Sequence, residues 1–286
     1  MHMLAAQRRT AIVSMLDSAG AVSVSELASR FEVSDMTIRR DLDGLSAEGL
    51  ISKVHGGAVT PAAHATRSRR TEEPGFHAKS DQMLPEKQAI AKAAAELVEP
   101  GMSIGLSAGT TTWTLAQHLL QIPELTVVTN SPRIADVFHG VTDARIRESQ
   151  DSTAGDSQAP SANQTVILTG GIRTLSDALI GPIANQALRS LHLDLLFLGA
   201  HGFSIEAGFT TPNLEEAETN RTWLQTAPRA VVLADHSKFG TTALGTFAEL
   251  PQIHTLITDT GLPEAAAAEL GESIDSVVRA EPRSHR

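Results

Sequence analysis

Ser34, Thr37, Arg39 and Arg40 fall within one short stretch, SDMTIRR, whose residue types suit a polyanion. At an exposed helix N-terminus, backbone N–H groups and hydroxyls meet phosphates, and arginine makes paired hydrogen bonds to guanine. The competing reading is a surface helix in which Arg39 and Arg40 pair with Asp43 and Asp41. A second cluster, SAGTTT from Ser107 to Thr112, stands between a short apolar run, MSIGL, and the helical pattern TTWTLAQHLL. It has the makings of an anion cradle. Gly109 permits a sharp turn, and the N–H groups of Gly109, Thr110, Thr111 and Thr112 face a ligand at the positive end of a helix. Threonines also cap helices whose ends bind nothing, so the loop alone leaves both readings open.

The elements that must position the first cluster are legible from spacing. Leu4, Ile12, Met15, Leu16 and Ala19 repeat at helical intervals, and Gly20 ends that helix. Ser25 is the expected cap of a short helix with Leu27, Ala28 and Phe31 inward. After a break at Glu32 and Val33, Ser34 caps a third helix with Ile38, Leu42 and Leu45 on one face. At about 100 degrees per residue, Arg40, Met36, Gly44 and Thr37 then point outward, with Arg39 on the flank. The following LISKVHGGAVT alternates, with Gly56 and Gly57 expected in a tight hairpin. Helix, short helix, turn, helix and two-stranded wing is the plan of a winged helix-turn-helix over residues 1–60.

The second cluster belongs to a different organisation. A helix from Glu86 to Val98 precedes the runs MSIGL, LTVVTN, TVILTGG, LDLLFLGA, RAVVLAD and HTLITD, most of them separated by helical spacing. Short buried strands with helical crossovers predict an α/β domain over residues 86–278, built on a mainly parallel sheet covered on both faces. Pro61 to Pro85 is expected to be a linker. Residues 148–164 contain no apolar side chain larger than alanine and are expected to be a disordered insertion, and residues 279–286 a tail.

Composition narrows the classes. The 286 residues include no cysteine, which excludes disulfides, thiolate metal sites and a cysteine nucleophile. None of the eleven histidines lies four residues from another, so no helical metal pair is expected, and no cofactor is indicated. No apolar run approaches the ~18 residues of a membrane span, and MHMLAAQRRT lacks the pattern of a secretion signal, so a cytoplasmic protein is expected. The net charge of −10 is unevenly placed. Residues 1–70 hold nine lysines and arginines against seven acidic residues, and the remainder holds fourteen against twenty-six. A mildly basic head on an acidic body lets the head approach a polyanion.

VSDMTIRRDLDGLSAEGLISKVHGGAVT, residues 33–60, resembles the DNA-binding domain of the DeoR-type bacterial repressors, whose signature is a VSxxTIRRDL helix followed by an HGGA wing. The likeness extends back through VSVSELASRF. In that family the TIRRDL helix enters the major groove, which implies DNA contacts from Ser34, Thr37, Arg39 and Arg40, with Lys53 and His55 on the wing. His55 has the alternative of a plain wing residue.

The same resemblance continues through Lys87, Gly109 to Thr111, Thr129 and Asn130, Gly170 and Gly171, LGAHG at Leu198 to Gly202, and DHSKFG at Asp235 to Gly240. In the family this domain binds a phosphorylated sugar or related metabolite. The resemblance implies a phosphate on Gly109 to Thr112, a compensating charge from Lys238, hydroxyl contacts from Asn130, His201 and Asp235, and Ser107, Gly170, Gly171 and Gly202 at the effector site. Each has a structural alternative: Asp235 caps a turn, Asn130 closes a strand end, Lys238 is a surface cation. Many members have an aspartate where this chain has Ser107, which bears on the usual sugar contact.

The domain is also similar to the ribose-5-phosphate isomerase fold, so a sugar-phosphate isomerase-like enzyme is the alternative. This chain retains the loop with Asp235, Ser237 and Lys238, yet Gly199, Ala200, His201 and Gly202 replace the carboxylate-bearing GADE segment. A proton at a sugar carbon needs a base beside the C–H bond, so no catalysis is expected. The implied partners are double-stranded operator DNA, a small phosphorylated sugar or polyol, and further copies of the chain in a dimer or tetramer.

Overall fold

Apolar spacing becomes three packed helices in the computed structural model, which describes residues 5–19, 21–31, 33–47, 50–54, 57–59, 75–139 and 163–282. The chain divides into two compact units, Met1–Arg69 and Arg70–Arg286. In the first, α1 (Ala5–Ala19), α2 (Val24–Phe31) and α3 (Asp35–Ala47) bury Ile12, Leu16, Leu27, Ile38, Leu42 and Leu45 in one core. α3 starts where its cap requires: Ser34 Oγ accepts from the Thr37 N–H at 3.2 Å.

The wing contains one strand more than its sequence suggests. β1 (Ala21–Ser23), β2 (Ser52–Val54) and β3 (Gly57–Val59) form an antiparallel sheet in the order β1-β3-β2. Three residues between two helices are too few for an alternating pattern to show. Val54 pairs with Gly57, so Gly57 opens β3. Leu4, Gly20, Glu32, His55 and Gly56 lie outside the described residues.

The second unit begins with α4 (Phe76–Ser80), inside the segment expected to be a linker, followed by α5 (Leu84–Ala95). β4 (Ser103–Leu106), α6 (Thr110–His118), β5 (Thr126–Thr129) and α7 (132–139) come next. Beyond residue 162 are β6 (Thr165–Leu168), the short pair β7 (Ile172–Arg173) and β8 (Leu179–Ile180), α8 (Pro182–Arg189) and β9 (Leu195–Gly199). β10 (Gly202–Ser204), β11 (Gly208–Thr211), α9 (Leu214–Trp223), β12 (Ala230–Leu233), β13 (Gly245–Ala248), β14 (Thr255–Asp259), α10 (Glu264–Leu270) and β15 (Ser276–Ala280) complete it.

Seven strands form one parallel sheet in the order β15-β14-β12-β9-β4-β5-β6. Apolar clusters cover both faces, one containing Ile90 of α5 and Leu115 of α6, the other Leu188 of α8 and Trp223 of α9. β4 carries Gly105 because a Cβ there would stand 2.8 Å from the Trp223 ring and 2.9 Å from both Leu193 and Leu196. A second, antiparallel sheet, β10-β11-β13, was not visible in the sequence. β10 and β11 are buried on both sides and do not alternate, so they carry no amphipathic signal. β15 runs to Ala280, so Arg279 and Ala280 are strand residues where a tail was expected.

Candidate functional site

On α3, Arg39 and Arg40 are exposed, and neither has an ion-pair partner among the described residues. The pairing of Arg40 with Asp41 therefore does not form. Asp41 turns the other way, 3% exposed, and accepts from Arg8 Nε at 2.6 Å and Arg9 Nε at 3.3 Å. The sequence holds a trace of this: Ile38, Asp41, Leu42 and Leu45 are an i, i+3, i+4, i+7 set, which puts Asp41 on the buried stripe. Gly44, expected outward, lies under Arg9, whose guanidinium carbon would be 2.8 Å from a Cβ there. Thr37 is half-buried with its hydroxyl 2.9 Å from that of Ser34, while Met36 is 68% exposed. Lys53 sits on β2 opposite Ala58.

In the second unit, strand order fixes where a cleft must open. β4 and β9 are parallel neighbours, but the chain leaves β4 toward β5 on one side and β9 toward β12 on the other. Loops at such a reversal diverge beyond the carboxyl ends of the strands. The cavity lies there. Gly109, Thr110 and Thr111 line it after β4, Ala200 and His201 after β9, and Asp235 and Lys238 after β12. Glu216 of α9, Ser176, and Phe76, Lys79 and Lys87 from the start of the unit complete the wall.

Other expected site residues position these loops instead of facing the cavity. Ser107, 2% exposed, accepts from the Gly199 N–H at 3.1 Å and so ties the β4 loop to the end of β9. Asn130, 1% exposed, accepts from the Ala108 N–H at 2.8 Å and donates to Leu179 O at 3.0 Å, and so braces the loop after β4. Thr112 is fully buried and bonds Gly109 O at 3.1 Å. Gly170 and Gly171 shape a turn at φ +73 and +125, and a Cβ on Gly171 would stand 2.6 Å from Ile180 O. Gly202 is required by close approach, since a Cβ would stand 2.2 Å from Thr241 O.

Asp235 caps the 3-10 turn His236–Lys238, accepting from the Ser237 N–H at 3.1 Å and from the Ser237 hydroxyl. The sequence did not disclose what braces that turn. Asp259, 1% exposed at the end of β14, accepts from His236 N–H at 2.8 Å and lies 2.7 Å from His236 Nδ1.

Three lysines, Lys79, Lys87 and Lys238, share the cavity with the carboxylates Asp235 and Glu216. Burial lowers Lys87 from 10.5 to about 8; Asp235 opposes this, and Lys238 and Lys79 add to it. A cavity lined by three ammonium groups, two carboxylates and a helix N-terminus suits a ligand that carries both an anionic group and hydroxyls. Gly199 to Gly202 supply only His201 as a titratable side chain, so the carboxylates of the cavity are Asp235 and Glu216.

Comparison with known proteins agrees with both halves. The DeoR-like helix-turn-helix domain matches residues 8–63, and the DeoR C terminal sensor domain matches residues 82–147 and 156–260. The uncharacterized HTH-type transcriptional regulator YgbI of Escherichia coli K12 is 35% identical over 269 residues, 94% of this chain and 95% of that one. The lactose phosphotransferase system repressor of Staphylococcus epidermidis is 29% identical over 248 residues, 87% and 89% of the two chains. Ribose 5-phosphate isomerase A from Methanocaldococcus jannaschii aligns over 54% of each chain with a TM-score of 0.34 and 18% identity. With a winged helix-turn-helix head and a sensor domain each matched over its own segment, this chain belongs to the DeoR family of transcriptional regulators.

Proposed function

We propose that the chain is a cytoplasmic repressor of a carbohydrate-metabolism operon that binds operator DNA through α3 and the wing and is controlled by a small phosphorylated sugar or polyol. The observation that carries the DNA reading is the state of the two arginines: Arg39 and Arg40 are exposed without ion pairs among the described residues, while the acidic neighbour Asp41 is committed to Arg8 and Arg9. Unneutralised guanidinium groups beside an exposed, Ser34-capped helix start suit phosphates and guanine edges. Lys53 and His55 would add wing contacts. One head spans only a few base pairs, so two or more copies acting on repeated half-sites are required for useful affinity.

Arg40→Ala is expected to reduce discrimination between operator and scrambled DNA by about 1–3 kcal/mol, as loss of a base contact does. Lys53→Ala should weaken both DNAs alike and flatten the salt dependence. Titrations of each variant at several salt concentrations check this, and equal loss of specificity from both would reverse the assignment.

For the sensor, the phosphate is placed against the N–H groups of Gly109, Thr110 and Thr111, with Lys238 and Lys79 balancing its charge. Glu216, Asp235 and His201 would address hydroxyls. The relative named as a lactose phosphotransferase system repressor supports a carbohydrate signal. A thermal-shift screen of phosphorylated metabolites on the full chain should give a stabilising ligand, since binding to the folded state raises its stability. Lys238→Ala, which removes a compensating charge, is expected to reduce the shift strongly, and Thr110→Ala, which keeps its N–H and loses only the hydroxyl, to reduce it less. A hit from an unphosphorylated sugar that survives both substitutions would remove the phosphate assignment.

A further inference from the structure

Lys87 does more than line the cavity. It lies in the first turn of α5, 3% exposed, and its Nζ donates to Lys79 O at 2.5 Å and to Gln82 O at 2.6 Å. Both carbonyls belong to residues 75–83, the stretch at which the described part of the sensor unit begins and through which the chain passes toward the head. That stretch needs holding. α4 has five residues, too few to persist alone, and Met83 adopts φ +52, a left-handed conformation that costs a non-glycine residue free energy. Its apolar anchor is Phe76, edge-on to Trp113 at 5.8 Å and beneath the Arg133 guanidinium at 4.6 Å.

An ammonium has three donors. Two of those on Lys87 bind the segment, and Lys87 is also among the residues that line the cavity. The same group therefore touches both the binding site and the connection to the head.

We infer that Lys87 is a positioning residue that couples occupancy of the cavity by a phosphate group to the placement of residues 75–83. This rests on the phosphate reading above. The groups facing Lys87 are Asp235 and Lys238 after β12, and Lys79 and Asp81 from its own side. In the empty cavity Lys79 and Lys238 repel the Lys87 charge. A phosphate dianion reverses that balance, stabilises the ammonium form, and strengthens its two bonds to the segment. Coupling is reciprocal, so whatever secures residues 75–83 also raises phosphate affinity. Because Lys87 titrates near 8, anion binding takes up a proton around that pH, and affinity falls as pH rises through it.

Hydrogen–deuterium exchange of the full chain with and without saturating inorganic phosphate tests this. In the wild type, phosphate should slow exchange severalfold both at residues 109–112 and at residues 79–83. In Lys87→Gln, protection should remain at 109–112 and vanish at 79–83. In Lys238→Gln, phosphate should bind more weakly, yet protect 79–83 once the cavity is filled. No protection at 109–112 in the wild type would sink the phosphate site itself. Protection at 109–112 without any at 79–83, or segment protection that survives Lys87→Gln, would overturn the coupling alone. Should Lys87→Gln fail to fold, a phosphate titration of the wild type decides: protection at 79–83 that rises in step with protection at 109–112 supports the inference, and protection confined to 109–112 overturns it.

Discussion

Asp41→Ala is expected to destabilise the head by about 3–5 kcal/mol, because it takes from the buried Arg8 guanidinium the carboxylate that it bonds at 2.6 Å. Arg8 is 7% exposed and Asp41 3%, so water does not compensate the loss. Arg9, with a partly exposed side chain, loses less. The substitution removes no group from the outward face of α3, yet DNA binding should disappear with the fold of the head. Urea unfolding followed by circular dichroism, alongside DNA titration, separates the cases. Loss of DNA binding with an unchanged unfolding midpoint would mean that Asp41 acts at the DNA and not in the core.

Asn130→Ala is the second large effect. It removes a partner from the half-buried Ala108 N–H and from the buried Leu179 C=O, at about 1–3 kcal/mol for the buried carbonyl and less for the N–H. Ala108 directly precedes Gly109, so the loop that is proposed to hold the phosphate loses its brace together with that stability. The expected result is a lower melting temperature for the sensor unit and weaker ligand stabilisation, although Asn130 does not line the cavity. If ligand stabilisation fell while the melting temperature without ligand stayed unchanged, Asn130 would be a direct contact and its bracing role would be wrong.

The head was legible where side-chain period and burial coincide. Ile38, Leu42 and Leu45 announced α3, and Ser34 announced its start, because both signals are local. Asp41 was misjudged because its partners, Arg8 and Arg9, belong to another helix, and no local pattern records which helix faces which. In the sensor, the parallel strands were legible as apolar runs such as LDLLFLGA, and Gly109 to Thr111, His201, Asp235 and Lys238 do meet at one cavity. The family resemblance implied ligand contacts from Ser107 and Asn130, and a polar residue at the end of a strand has the same signature whether it faces a ligand or braces a backbone. Only the hydrogen-bond partners distinguish the two. Phe76 and Lys79 were hidden in a stretch whose prolines and mixed charge resembled a linker, since α4 is too short to show a period.

The divergence of the chain after β4 and β9 has a consequence for descent. The cleft exists because two neighbouring strands send their continuations in opposite directions, and no single side chain is needed to create it. Substitutions that keep the sheet therefore keep the address of the pocket. The grip on an anion is proposed to come largely from backbone N–H groups at Gly109 to Thr111, whereas Glu216, Ser176 and His201 reach the cavity from three other parts of the chain. A lineage could exchange the latter one at a time, trying new signals under an unchanged head, without passing through an ancestor that recognised nothing.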